Sequence, residues 1–209
     1  MFELPDLLTF LAASVVIILA PGPAQMLVIA RSINEGTKAG MMTGIGLNIG
    51  TIVHAIAAAM GLSAILATSA TIFGVIKFLG AGYLVYLGIQ ALRGETRLDD
   101  QTQNGTTDPW SAFRKAIITG ILNPKVAIFF LAFLPQFVNP ARGMLFLQFL
   151  ILGLILAVLD ICYESALALI AGRLNNRFMR NPRIALWRQR ATGIVLVGLG
   201  LRLAFMKRD

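Results

Sequence analysis

Asp160 and Glu164 stand four residues apart in DICYESA, inside a long apolar stretch of the chain. At that spacing both carboxylates share one face of a helix. A charged group near the centre of a bilayer costs about 2.5–3.5 kcal/mol on insertion scales, so an acidic pair placed there calls for a partner or a task. Such a pair can take and release a proton or hold an ammonium group; a structural pairing with Lys125, Lys77 or His54 is the alternative. His54, in GTIVHAIAAAMG, is the single histidine. Its unperturbed pKa of about 6.5 suits a proton relay, whereas a helix histidine bonded to a neighbouring carbonyl or hydroxyl has a purely structural part. Lys125, directly after Pro124, can offer its charge to a substrate carboxylate, cap a broken helix, or pair with Asp160.

Two interruptions accompany these groups. LAPGPAQM, residues 19–26, sets Pro21, Gly22 and Pro23 into one apolar run, and ILNPKVAIFFL sets Asn123 and Pro124 into another. Proline inside a helix removes a donor, clashes with the preceding turn at a cost of about 3 kcal/mol or more, and frees carbonyls. In lipid, freed carbonyls are tolerated only where protein or a water-filled cavity meets them. Aligned on the prolines, the two stretches match Ile18 with Ile121, Leu19 with Leu122, Pro21 with Pro124 and Ala24 with Ala127. Coincident breaks in two halves point to a shared central cavity; a pair of simple kinks is the plainer alternative. The candidate substrate-binding residues are Pro21, Gly22, Pro23, Gln25, Asn48, Asn123, Pro124 and Lys125. Asp160, Glu164 and His54 are the candidates for proton coupling or for holding an ammonium group. Asn48, within a glycine-rich face, also reads as an interhelical hydrogen bond.

Membrane helices must position these groups. With 57% apolar and 13% charged residues, the chain has too little polar surface for a soluble domain, where roughly 25% is charged. Six apolar segments emerge: 7–30, 39–62, 71–92, 113–138, 144–170 and 191–206, the last being the shortest. Between Lys38 and Lys77 only His54 can carry charge, and a helix of that length, roughly 57 Å, must turn once within a hydrocarbon core of about 30 Å. SAILATSAT is the expected place. The N-terminal run starts with Glu3 and Asp6 rather than a basic region and continues past Pro23, so it reads as a retained helix and not a cleaved signal. Residues 94–110, GETRLDDQTQNGTTDPW, form the one long hydrophilic connection. The expectation is a single transporter domain over 1–209, with a three-helix repeat in 1–93, a polar loop at 94–110 and a second three-helix repeat in 111–209. Units with an odd number of spans insert upside down relative to each other. The fold class is therefore all-α integral membrane, six transmembrane helices as two inverted repeats with helices one and four broken. With alternating spans, twelve Lys and Arg lie in the loops of one side against four on the other, which favours both termini outside the cytoplasm.

Other function classes fit poorly. The net charge of +8 comes from basic residues between apolar segments, a pattern of membrane orientation and not of nucleic-acid binding. One histidine cannot supply an H-E-x-x-H zinc site, and no G-x-S-x-G or phosphate loop occurs. GIGLNIG has the wrong spacing for a dinucleotide loop; Gly36, Gly40, Gly44, Gly46 and Gly50 read as close helix packing. Lys77 reads as an interfacial anchor. Cys162, the single cysteine, excludes an internal disulfide and reads as a packing residue. Nothing calls for a cofactor or a bound metal. A cation exporter of the same architecture would need more oxygen ligands at the midplane than Asp160, Glu164 and neutral amides, and a passive small-solute channel would not need the titratable pair.

The order of APGP, the run Arg31, Ser32, Gly36, Ala39, Gly40, His54 in the second span, KFLGAGYLVYLG in the third and NPKVAIFFLAFLPQF in the fourth resembles the lysine exporter (LysE) superfamily, specifically its homoserine and threonine efflux branch. The resemblance covers nearly the whole chain. It implies a multi-pass protein of the bacterial inner membrane that exports amino acids, driven by the proton motive force, through two three-span repeats. The expected partners are a small amino acid, protons and the lipid bilayer, with a homodimer left open.

Overall fold

The computed structural model describes residues 2–20, 22–68, 70–93, 108–173 and 182–205. Within these the chain is helical, with no strand. α1 (Leu4–Leu19) and α2 (Pro23–Asn34) meet at 53°. α3 spans Thr37–Thr68 and α4 spans Ala70–Arg93; Ser69, within SAILATSAT where the turn is expected, lies outside the described residues. α5 (Pro109–Ile121) opens with Asp108, whose carboxylate accepts from the Ser111 N–H at 3.3 Å, then a proline that has no N–H to leave unpaired. This cap starts the helix four residues before the apolar run that predicted it.

α6 (Pro124–Ile128) is one short turn, and the segment it opens is bent 42° from α5. A π-helical turn, Phe129–Phe133, and a 3₁₀ turn, Leu134–Phe137, complete that span. α7 runs Leu145–Arg173 and α8 runs Pro182–Phe205. α8 begins nine residues before the expected 191, because RIALWRQR continues the helix in spite of its charge. Arg177, Arg180, Met206 and most of the polar stretch 94–110 lie outside the described residues.

α3, α4 and α7 each contain a stretch long and apolar enough to cross a bilayer, and each bent pair, α1 with α2 and α5 with its continuation, passes as a broken span. Large apolar side chains point outward, among them Phe78, Leu79 and Val158, a surface that suits acyl chains and not water. Cys162 is exposed on α7 and does not pack inside. The Lys77 ammonium sits 5.3 Å from the Phe78 ring centre, consistent with an anchor that lies along an apolar face.

Close approach organises the interior. A Cβ on Gly50 would stand 2.3 Å from the Gly120 carbonyl carbon, so α3 crosses α5 backbone to backbone. At the crossing of α4 with α8, a Cβ on Gly88 would meet the Gly193 carbonyl oxygen at 2.8 Å. The core between α1, α3, α7 and the 129–137 segment is aromatic: Phe10, Phe129, Phe130, Phe133 and Phe149 are all fully buried. Gln148, also fully buried, pins the loop before α7; its Oε1 accepts from the Asn139 N–H (2.9 Å) and its Nε2 donates to the carbonyls of Asn139 (3.0 Å) and Gly143 (2.7 Å). Arg142 of that loop pairs with Glu3 at the start of α1.

Candidate functional site

A helix leaves its last four carbonyls without donors, and α1 ends where the chain is deeply buried. Ala20 is already extended, and so is Gly22 at the start of α2. Pro23 is the first residue of α2, where its missing N–H costs nothing; Pro21 lies outside the described residues. The freed carbonyls are met by side chains. Lys125 Nζ donates to the Ala20 carbonyl at 2.9 Å and to that of Ile17 at 3.2 Å, and Gln25 Nε2 donates to that of Ile18. A cation at this position also opposes the negative end of the α1 dipole.

Lys125 comes from the other break. Asn123 is extended there, and its side-chain oxygen accepts from the Lys125 N–H at 3.0 Å, which restarts the helix at Pro124 and aims Lys125 across to α1. A Cβ on Gly22 would lie 3.7 Å from Lys125 Nζ, so the two interruptions touch. Pro124 itself is exposed. The end of α5 has its own visitor, since the His54 ring lies beside the backbone of Gly120 and Ile121. That ring stacks on Phe130 at 6.2 Å, and its Nε2 is buried with no partner.

Beside the breaks lies a cavity lined by Ile17, Ile18, Thr51, Lys125, Val126, Phe129, Leu156 and Asp160. The space open to the centre of a water molecule is about 30 Å³, enough for one or two waters. Glu164 lies one turn of α7 beyond Asp160, is 2% exposed, and accepts from Asn48 Nδ2 at 3.0 Å. Asn48 also donates to the Gly44 carbonyl at 3.1 Å, while its own oxygen is buried without a partner. A Cβ on Gly44 would approach Glu164 Cβ to 3.0 Å. The glycine face of α3 thus makes room for the acid as well as for α5.

The structure brings Gly22, Gln25, Asn123, Lys125 and Asp160 to the breaks and their cavity, with Asn48 and Glu164 adjoining. His54 belongs to the end of α5 and does not line the cavity. Lys125 gives its hydrogen bonds to carbonyl oxygens and not to a carboxylate. Thr51 is a lining residue that sequence reasoning missed. Its signal was present: Asn48, Thr51 and His54 recur every third residue, a polar stripe through the apolar middle of α3. The π-turn is likewise invisible in composition, yet it delivers Phe129 to the cavity.

The chain matches a family model described as LysE type translocator over residues 15–207. A leucine efflux protein of Klebsiella pneumoniae is 32% identical over 208 residues, covering 99% of this chain and 98% of the relative. A leucine efflux protein of Salmonella typhimurium is 28% identical over 200 residues, covering 95% of this chain and 94% of the relative. An uncharacterized membrane protein of Pseudomonas aeruginosa is 35% identical over 204 residues, with coverage of 95% and 94%. No solved structure matches. With its broken helices, its apolar exterior and a family match across almost its entire length, the chain belongs to the LysE type translocators, multi-pass inner-membrane transport proteins rather than enzymes.

Proposed function

We propose that the protein exports a neutral aliphatic amino acid, leucine or a close relative, from the cytoplasm by proton-driven antiport. The observation that carries this is the joining of the two breaks: Lys125 of one holds the carbonyls of the other, beside Asp160 and a cavity whose remaining lining is apolar except for Thr51. Lys125 and Asp160 offer opposite charges for the two ends of a zwitterion. Ile17, Ile18, Val126, Phe129 and Leu156 offer an aliphatic side chain a surface without polar demands. The names of the leucine efflux relatives support the same substrate class.

The cavity is too narrow for an amino acid as it stands, so transport needs the halves to separate, opening alternately to each side. Two inverted repeats, 1–93 and 111–209 joined through 94–110, supply the moving parts in this reading. A pseudo-two-fold axis would lay each span against its counterpart. In support, break touches break through Lys125, α3 packs on α7, and α4 packs on α8. Asp160 and Glu164, with His54 at the second break, carry the coupling proton in this reading, and the count of basic residues in the loops favours both termini outside the cytoplasm.

Cells loaded with leucine through a leucine-containing dipeptide test this. Expression is expected to accelerate leucine release several-fold, and a protonophore is expected to abolish the increment. Release that ignores the protonophore would remove the proton coupling. Release no faster than in cells lacking the protein would remove the export function.

A further inference from the structure

Lys125 presents a primary ammonium, the same chemical group that every α-amino acid carries. Its Nζ rests against two main-chain carbonyls, Ile17 and Ala20, at the buried end of a broken helix. Those oxygens owe their availability to the break: the helical donor for Ile17 would be residue 21, a proline without an N–H, and Ala20 is already extended. Gln25 Oε1, from the amide that holds Ile18, is buried there with no partner, and Asp160 lines the adjoining cavity. The end of α1 is therefore a set of acceptors built for an ammonium group, and a side chain of the opposite half occupies it.

We infer that Lys125 is a tethered stand-in for the substrate's ammonium group: a ligand enters by taking the Ile17 and Ala20 carbonyls from it and must supply a carboxylate to receive the displaced Lys125. This deepens, and rests on, the amino-acid export proposed above. The exchange balances in donors and acceptors. The two carbonyls lose the Nζ donors and gain those of the ligand; Lys125 loses the carbonyls and gains a carboxylate. An amine without a carboxylate would take the two carbonyls from Lys125 and bring it no acceptor in exchange. An acid without an amine would strand the carbonyls. Both are costly in a low-dielectric interior, so the device selects zwitterions before the side chain is read. Because Lys125 is also the tie between the two halves, its displacement releases them to move.

The test is ligand binding to the purified full-length protein in detergent, with L-leucine, isoamylamine (leucine without its carboxylate) and 4-methylpentanoate (leucine without its amine). The wild type is expected to bind leucine at least tenfold more tightly than either fragment. In Lys125→Met the carbonyls are left open, so isoamylamine should gain at least tenfold over its wild-type affinity, while leucine weakens and 4-methylpentanoate gains nothing. A folded Lys125→Met protein with no gain for the amine would overturn the inference while leaving export intact. Should that variant not fold, the wild-type series decides alone: isoamylamine binding as tightly as leucine overturns it. A wild type that binds no leucine defeats the export reading and this inference together.

Discussion

Asp160→Ala is expected to abolish leucine export while the protein reaches the membrane in normal amounts. Asp160 is the acid at the cavity wall, and α7 holds it in place through the buried residues on either side, Leu156 and Glu164. Losing a hydrogen bond between the substrate's ammonium group and a charged carboxylate costs about 1.5–3 kcal/mol. At about 1.4 kcal/mol per factor of ten, that is a loss of roughly 10- to 100-fold in rate. Asp160→Asn, which keeps the shape and loses the charge, should be as inactive. The loaded-cell assay, with membrane levels measured by immunoblot, checks both. Export by either variant within threefold of wild type would show that Asp160 neither couples protons nor holds the ammonium group.

The second large effect concerns folding. Gly50→Val would drive a branched side chain into the carbonyl carbon of Gly120 and the Ile121 nitrogen, which a Cβ alone would already approach to 2.3 and 2.5 Å. These are backbone atoms and cannot rotate away, so α5 must shift as a whole. Overpacking typically costs about 1–3 kcal/mol, and a clash with backbone lies at the upper end, a large share of a marginal stability of about 5–15 kcal/mol. The shift would also move Asn123 and Lys125, which come directly after α5. The expected outcome is a collapse of monodisperse protein on size exclusion in detergent. Gly61→Ala, on the same helix with nothing within 4 Å of the added carbon, should leave the profile unchanged.

The contrast between those two glycines marks the limit of what the sequence discloses. Both belong to α3, and the small-x-x-x-small spacing announces the close packing found at Gly40, Gly44, Gly46 and Gly50, whereas Gly36, expected in the same set, is a turn residue at φ +93° with nothing within 4 Å of an added carbon. Spacing cannot say which helix arrives there, because α5 is brought in by contacts across some seventy residues of chain. The breaks were legible for a local reason: proline forbids a helical hydrogen bond wherever it stands, and APGP and NPK stand in register. The groups that answer the freed carbonyls were not legible. Lys125 allowed three readings, and its bonds to the Ile17 and Ala20 carbonyls at the end of α1 depend on an approach across a hundred residues of chain. Glu164 was expected to pair with a cation or serve a proton; its bond to Asn48 depends on the side-by-side packing of α3 and α7. Cys162 misled because hydropathy is the same for a residue facing protein and one facing lipid. Gln148 gave no motif at all, since its partners are main-chain atoms of a loop whose path the sequence does not prescribe.

The central claim is that the two breaks enclose a wet site for an amino acid, and a single thiol there tests it most directly. In a Cys162→Ser background, Val126→Cys places a small side chain of the second break on the cavity wall. A water-soluble thiol reagent applied to membranes is expected to label it, and saturating leucine is expected to slow the labelling several-fold. A rate unchanged by leucine, or a thiol that never reacts, would contradict a substrate cavity between the breaks.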